Sequence, residues 1–74
     1  MTYSTISAAL HAIRYTDTDE IIVAAPNGQE LFIWPDWTGV CDVGTINGTH
    51  YTRYASIDNA EDIADWLDAF GVAQ

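Results

Sequence analysis

From Ser4 to Arg14 the apolar positions Ile6, Ala9, Leu10 and Ile13 recur at helical spacing. Ser4, Ser7, His11 and Arg14 fall on the other side of the wheel. That period predicts a first amphipathic helix ending before the turn-forming "TDTD" of 16–19. The pattern then changes. "EIIVAA" and "ELFIW" are short apolar runs separated by "PNGQ", which predicts a hairpin turning at Asn27-Gly28. A two-residue loop there would set Val23 opposite Phe32 and Ile21 opposite Trp34. Both faces of this hairpin are apolar, so both must find cover or a partner. "PDWTG" (35–39) reads as a loop. "VCDVGTI" and "THYTRYA" around Asn47-Gly48 predict a second hairpin. Its two-residue loop would put Asp42 opposite Arg53 and Gly44 opposite Tyr51.

The last element is "IDNAEDIADWLDAFG", 57–71. Ala60, Ile63, Trp66, Leu67 and Phe70 cover one side of a helix. Asp58, Glu61, Asp62, Asp65 and Asp68 fill an arc of about 120° on the other. Asp58-x-x-Glu61 matches a capping box. Gly71 is placed to stop the helix, with Leu67 meeting Val72 across a Schellman motif. The order αββββα predicts an α+β fold in one domain, 1–74: a four-stranded antiparallel sheet of two hairpins with the N- and C-terminal helices on one face.

Charge changes this picture more than any motif. Eleven acidic residues stand against two arginines, with no lysine, for a net charge of −9. Residues 1–16 carry only Arg14, so all eleven acids lie in 17–74. Such a field repels nucleic acid and anionic membranes and attracts basic protein surfaces. No apolar run is long enough for a membrane span. The start "MTYSTISAAL" lacks the features of a signal peptide. The lone Cys41 can form no internal disulfide, so a cytoplasmic setting is expected.

The acidic arc has three readings. It can be a solvated helix face. It can reflect a high-salt proteome or a GC-rich genome, which the eight Asp against three Glu would fit. Or it can be a working surface. Glu61 with Asp65 and Asp58 with Asp62 are like-charge pairs at i,i+4, and Asp68 opposes the helix dipole, so the sequence accepts local costs for this field. Acids three and four apart rise about 4.5–6 Å per step, the scale of a phosphate row.

Other chemistry is sparse. Trp34 and Trp37 flank a Pro-Asp turn, where Trp34 can be core and Trp37 an exposed anchor. His11, His50 and Cys41 lack zinc spacing. "TDTDE" (16–20) starts like a calcium loop but lacks its Gly and terminal Glu. Asn47-Gly48-Thr49 fits the glycosylation pattern but reads better as a turn. No metal, cofactor or catalytic set is expected, and the chain is not expected to be an enzyme.

In size, charge, element order and the arc Asp58, Glu61, Asp62, Asp65, Asp68, the whole chain resembles small acidic phage-encoded inhibitors. These include anti-CRISPR proteins, several of which are DNA mimics. The resemblance implies a stoichiometric inhibitor in the host cytoplasm. It would occupy the basic nucleic-acid-binding surface of a defence protein such as a Cas effector subunit, with no direct nucleic-acid or membrane contact. On this reading the five arc acids form the partner surface. Asp17, Asp19 and Glu20 extend the field, and Trp37 anchors its rim. The competing reading is a small assembly module that self-associates through the apolar hairpin sheet, as a homodimer in place of a monomer.

Overall fold

A computed structural model describes residues 1–74. The elements run β1 (Thr2–Tyr3), α1 (Ile6–Tyr15), β2 (Ile21–Ala24), β3 (Glu30–Pro35), β4 (Cys41–Asn47), β5 (His50–Ile57) and α2 (Ala60–Ala69). The expected α+β class holds, but the sheet has five strands in the order β1-β2-β3-β4-β5 and is mixed. The sequence reading lacked β1, which pairs parallel with β2 through Thr2↔Ile22 and Tyr3↔Val23. Two residues are too few to show a period of two. Parallel neighbours need a crossover, and α1 supplies it.

Both helices lie over one face of the sheet. Ile6, Ala9 and Ala12 of α1 and Ile63, Trp66 and Leu67 of α2 enclose Ile21, Val23, Leu31, Ile33, Cys41 and Val43 in one core. Thr5 caps α1 by accepting from the Ala8 amide at 3.1 Å. The next two free amides are met by the chain's last residues: Ile6 N donates to Ala73 O at 2.7 Å and Ser7 N to Gln74 O at 3.1 Å. This seals the start of α1 against the segment after α2. At that end of α2, Gly71 takes φ +81°. Val72 N donates to Leu67 O at 3.2 Å and Gly71 N to Asp68 O at 2.8 Å, the Schellman pair expected from the sequence.

Three local expectations are corrected. The cap of α2 is Asn59, one residue after Asp58; its side chain accepts from Asp62 N at 2.8 Å. Its amide nitrogen donates to Asp62 Oδ2, also at 2.8 Å. Asp58 therefore precedes the helix, and no Asp58–Asp62 repulsion arises along it.

The first hairpin turns through Pro26, Asn27 and Gly28. Ala25 N donates to Gln29 O at 2.8 Å and Gly28 N to Ala25 O at 3.0 Å. Only Gly28 takes positive φ (90°), so a three-residue loop replaces the Asn-Gly pair. Val23 faces Leu31, and Ile21 faces Ile33. The extra residue moves Phe32 and Trp34 to the face opposite Val23 and Ile21.

The second hairpin closes on Asn47↔His50, with Gly48 (φ +65°) and Thr49 as its loop. Positive φ at the first loop position alone is the type II′ pattern. Ile46 faces Tyr51, Gly44 faces Arg53, and Asp42 faces Ser56 across a bulge at Val43/Gly44. Asp42 and Arg53 are thus diagonal. They still approach to 3.9 Å, and Ser56 Oγ donates to Asp42 Oδ1 at 2.6 Å. An ion pair this exposed contributes at most about 1 kcal/mol.

Candidate functional site

The acidic arc is exposed along its whole length. Asp58, Glu61, Asp62, Asp65 and Asp68 all face solvent, while Ile63, Trp66 and Leu67 bury the other side of α2. No cation neutralises them, because the molecule's one carboxylate–arginine pair is Arg53 with Asp42. Glu61 and Asp62 share the first turn, and Asp65 and Asp68 follow three residues apart, about 4.5 Å of rise per step. Glu61 and Asp62 sit in the first turn, where the dipole favours them, and Asp62 also completes the Asn59 cap. Asp68 lies in the last turn, which holds no basic residue. The arc therefore has a stabilised end and a costly end.

Two clefts lie near the stabilised end. A cleft lined by Leu10, Ile13, Arg14, Cys41, Asp58 and Asn59 lies where α1 ends and α2 begins. A second cleft shares Ile13 and is lined by Asp17, Asp19, Asp36 and Trp37. The two clefts meet only at Ile13, with Arg14 lining the one that holds Asp58 and Asp17 and Asp19 lining the other. Trp37 stands there 96% exposed, free of the core. Glu20 goes elsewhere. Its Oε2 accepts from the Trp34 indole N–H at 2.8 Å, on the sheet face away from the helices.

The Trp37 loop is held by one carboxylate that the sequence reading passed over. Asp36 Oδ1 accepts from Thr38 Oγ1 at 2.6 Å, Thr38 N at 2.8 Å and Val40 N at 3.1 Å. The Thr38 hydroxyl bond is the largest influence on Asp36; slight desolvation opposes it, and the backbone amides add to it. The result is a carboxyl held below its ordinary value. A lowered folded pKa means that this support is complete above the unfolded value. It is lost as pH falls through the folded one. Asp36→Ala should therefore speed amide hydrogen exchange at Thr38 and Val40 at neutral pH, with the global melt little changed. In the native chain, acidification below the ordinary carboxylate range should produce the same local effect. Unchanged exchange at both amides in the variant would remove Asp36 from this role.

Little here supports covalent chemistry. Cys41 is 2% exposed, and burial, with smaller contributions from Asp36 and Asp42, pushes its thiol up. A buried, protonated thiol is a poor nucleophile. His11 is exposed on α1, its ring tilted against Tyr15 at 4.7 Å between centroids, and His50 is exposed beside the second turn. No three His, Cys, Asp or Glu side chains converge as metal ligands. No helix is long and apolar enough to cross a membrane.

One feature of the sheet went unread in the sequence. Phe32 is fully buried, yet it lies outside the core beneath the helices. It is covered on the open face by Trp34 at 4.3 Å and Tyr51 at 5.4 Å between ring centroids. Gly44 opposite it on β4 makes the room; a Cβ there would meet the Phe32 ring at 2.6 Å. The sequence reading placed Tyr51 opposite Gly44, with room for its ring there; the structure gives that room to Phe32, with Arg53 as the β5 partner.

No protein-family model matches the chain, and neither a curated protein nor a solved structure shows significant similarity to it.

Proposed function

We propose that the protein is a non-enzymatic inhibitor that acts by binding another protein. The α2 face would occupy the basic nucleic-acid-binding surface of a host defence protein of the CRISPR-Cas type, in place of a nucleic-acid strand. The observation that carries this reading is the row of exposed carboxylates along α2, none of them within ion-pair distance of an arginine; Asp17 and Asp19 would extend its field. A groove built to hold phosphates offers lysine and arginine at matching intervals, and each carboxylate can replace one phosphate contact. Trp37 supplies an apolar anchor at the rim, of the kind that dominates binding hot spots. Cytoplasmic action follows from such a partner.

The solvated-face reading is weaker than its usual strength here. An ordinary polar helix face gains from mixed charges at i,i+4. This one sets Glu61 against Asp65 and places Asp68 at the disfavoured end. The test is a pull-down against basic nucleic-acid-binding proteins, Cas effector complexes among them, at low and high salt. Capture that weakens steeply with salt and is competed by DNA supports the proposal. Capture indifferent to salt and to DNA, or self-association alone, contradicts it.

A further inference from the structure

The sheet face opposite the helices holds a second concentration of binding chemistry. Trp34 and Tyr51 stack at 5.6 Å with 25° between their planes, and they are 36% and 42% exposed. Phe32 forms the buried floor beneath them. Glu20 is fixed at the edge of this stack. Its carboxylate accepts from the Trp34 indole, and Thr18 Oγ1 bonds its backbone on both sides, at 3.1 Å to the carbonyl and 3.4 Å to the amide. Burial and then the Glu20 charge push the Tyr51 hydroxyl above its ordinary value, which places that carboxylate near both rings. Glu30 and Asp42 lie on the same face. The only cation there, Arg53, is tied to Asp42.

We propose that this face binds an arginine side chain from a cationic protein segment, with its guanidinium over the exposed parts of Trp34 and Tyr51 and paired to Glu20. Three observations select this occupant. Aromatic faces attract cations, and a carboxylate beside them strengthens the attraction. The Glu20 carboxylate is shared between the Trp34 indole and the Tyr51 hydroxyl, and its remaining lone pairs can accept from a planar donor. The planar, weakly hydrated guanidinium both stacks and hydrogen-bonds, which an ammonium does less well. Charge argues against other occupants. A second copy would bring Glu20, Glu30 and Asp42 against the same groups on a chain of net charge −9. Stacked nucleobases would bring phosphates into the same field. The site stands apart from the α2 arc, which lies on the helix layer, so it does not depend on the inhibitor reading.

The test is a titration of the ¹⁵N-labelled chain with acetyl-Gly-Arg-Gly-amide, read at the Trp34 indole N–H and the Tyr51 amide. The same peptide with lysine or with neutral citrulline serves as comparison. The arginine peptide should shift both signals in a saturable way. Lysine should bind about threefold to fivefold more weakly, and citrulline should bind no better than the solvent control. Glu20→Gln, which keeps a hydrogen-bond acceptor for Trp34, should weaken arginine binding by about the same factor. Asp65→Lys with Asp68→Lys should leave this titration intact, which separates it from the α2 surface. Equal binding of citrulline, shifts confined to α2, an unaffected Glu20→Gln variant, or no shift up to the peptide's solubility would each overturn the proposal. So would a concentration-dependent dimer whose formation moves the same two signals.

Discussion

Gly44→Ala is expected to lower the melting temperature by more than about 12 °C, through a loss of about 3 kcal/mol. A Cβ at this position would lie 2.0 Å from the Thr52 carbonyl oxygen and 2.6 and 2.7 Å from two Phe32 ring carbons. The first neighbour is backbone of the adjacent strand, and the second is a ring closed in by Trp34 and Tyr51. Neither can retreat without opening the β4–β5 pairing or the aromatic cover. A chain of this size has only about 4–11 kcal/mol of stability to lose. Gly48→Ala is the internal comparison. It meets nothing within 4 Å, and its cost is the positive φ of 65° alone. That cost is about 1 kcal/mol. Thermal melts of the two variants give the measurement. Equal melts would mean that Phe32 does not rest over Gly44 as described.

The largest expected effect on binding comes from Asp65→Lys combined with Asp68→Lys. These positions lie at the costly end of the arc, clear of the Asn59 cap that Asp62 completes. Asp65→Lys replaces the Glu61–Asp65 repulsion with an attractive pair in the favoured orientation, worth ~0.2–0.5 kcal/mol. Asp68→Lys places a cation in the last turn, worth ~0.3–1 kcal/mol. The introduced lysines repel one another about as Asp65 and Asp68 do now. The helix should therefore hold, with a melting temperature equal to or a few degrees above the parent's. Affinity for the basic partner should fall by at least about tenfold, or ~1.4 kcal/mol. The pairing of a steadier fold with lost binding is the informative outcome, because damage to the fold would lower both. A stable variant that binds as the parent does would leave α2 as a solvated helix face.

Much of the fold was legible because its signals are local. The spacing of Ile63, Trp66, Leu67 and Phe70 fixes the buried side of α2, and Gly71 fixes its end. Its start slipped by one residue because Asp58 and Asn59 are both good caps. Asn59 prevails with Asp62 three positions on, a reciprocal arrangement that Asp58 and Glu61 mimic on paper. Both hairpins were visible, but their registers were not. Asn-Gly marks a turn without saying whether Asn takes positive φ. Here neither Asn27 nor Asn47 does, so each loop is offset from the expected pair. One residue of offset was enough to carry Phe32 and Trp34 to the other face of the sheet. The Gly48-Thr49 loop alone sets Arg53 opposite Gly44 and not Asp42, and the bulge between Val43 and Gly44 then moves Asp42 one residue further, to Ser56. The acidic arc was legible from periodicity and charge alone. The Glu20–Trp34–Tyr51 group was not, since it joins a loop and two strands through a register that the sequence leaves open.

On the proposed function, the α2 carboxylates take the place of phosphates on a basic surface. Displacement of a fluorescent DNA duplex from the captured defence protein, followed across a range of salt concentrations, tests it most directly. The native chain is expected to displace the duplex stoichiometrically. The logarithm of its affinity should fall linearly with the logarithm of salt concentration, as when phosphate contacts are replaced. The Asp65→Lys, Asp68→Lys variant should displace nothing at the same concentrations. Binding that leaves the duplex in place, or displacement that the variant performs as well as the native chain, would contradict that function.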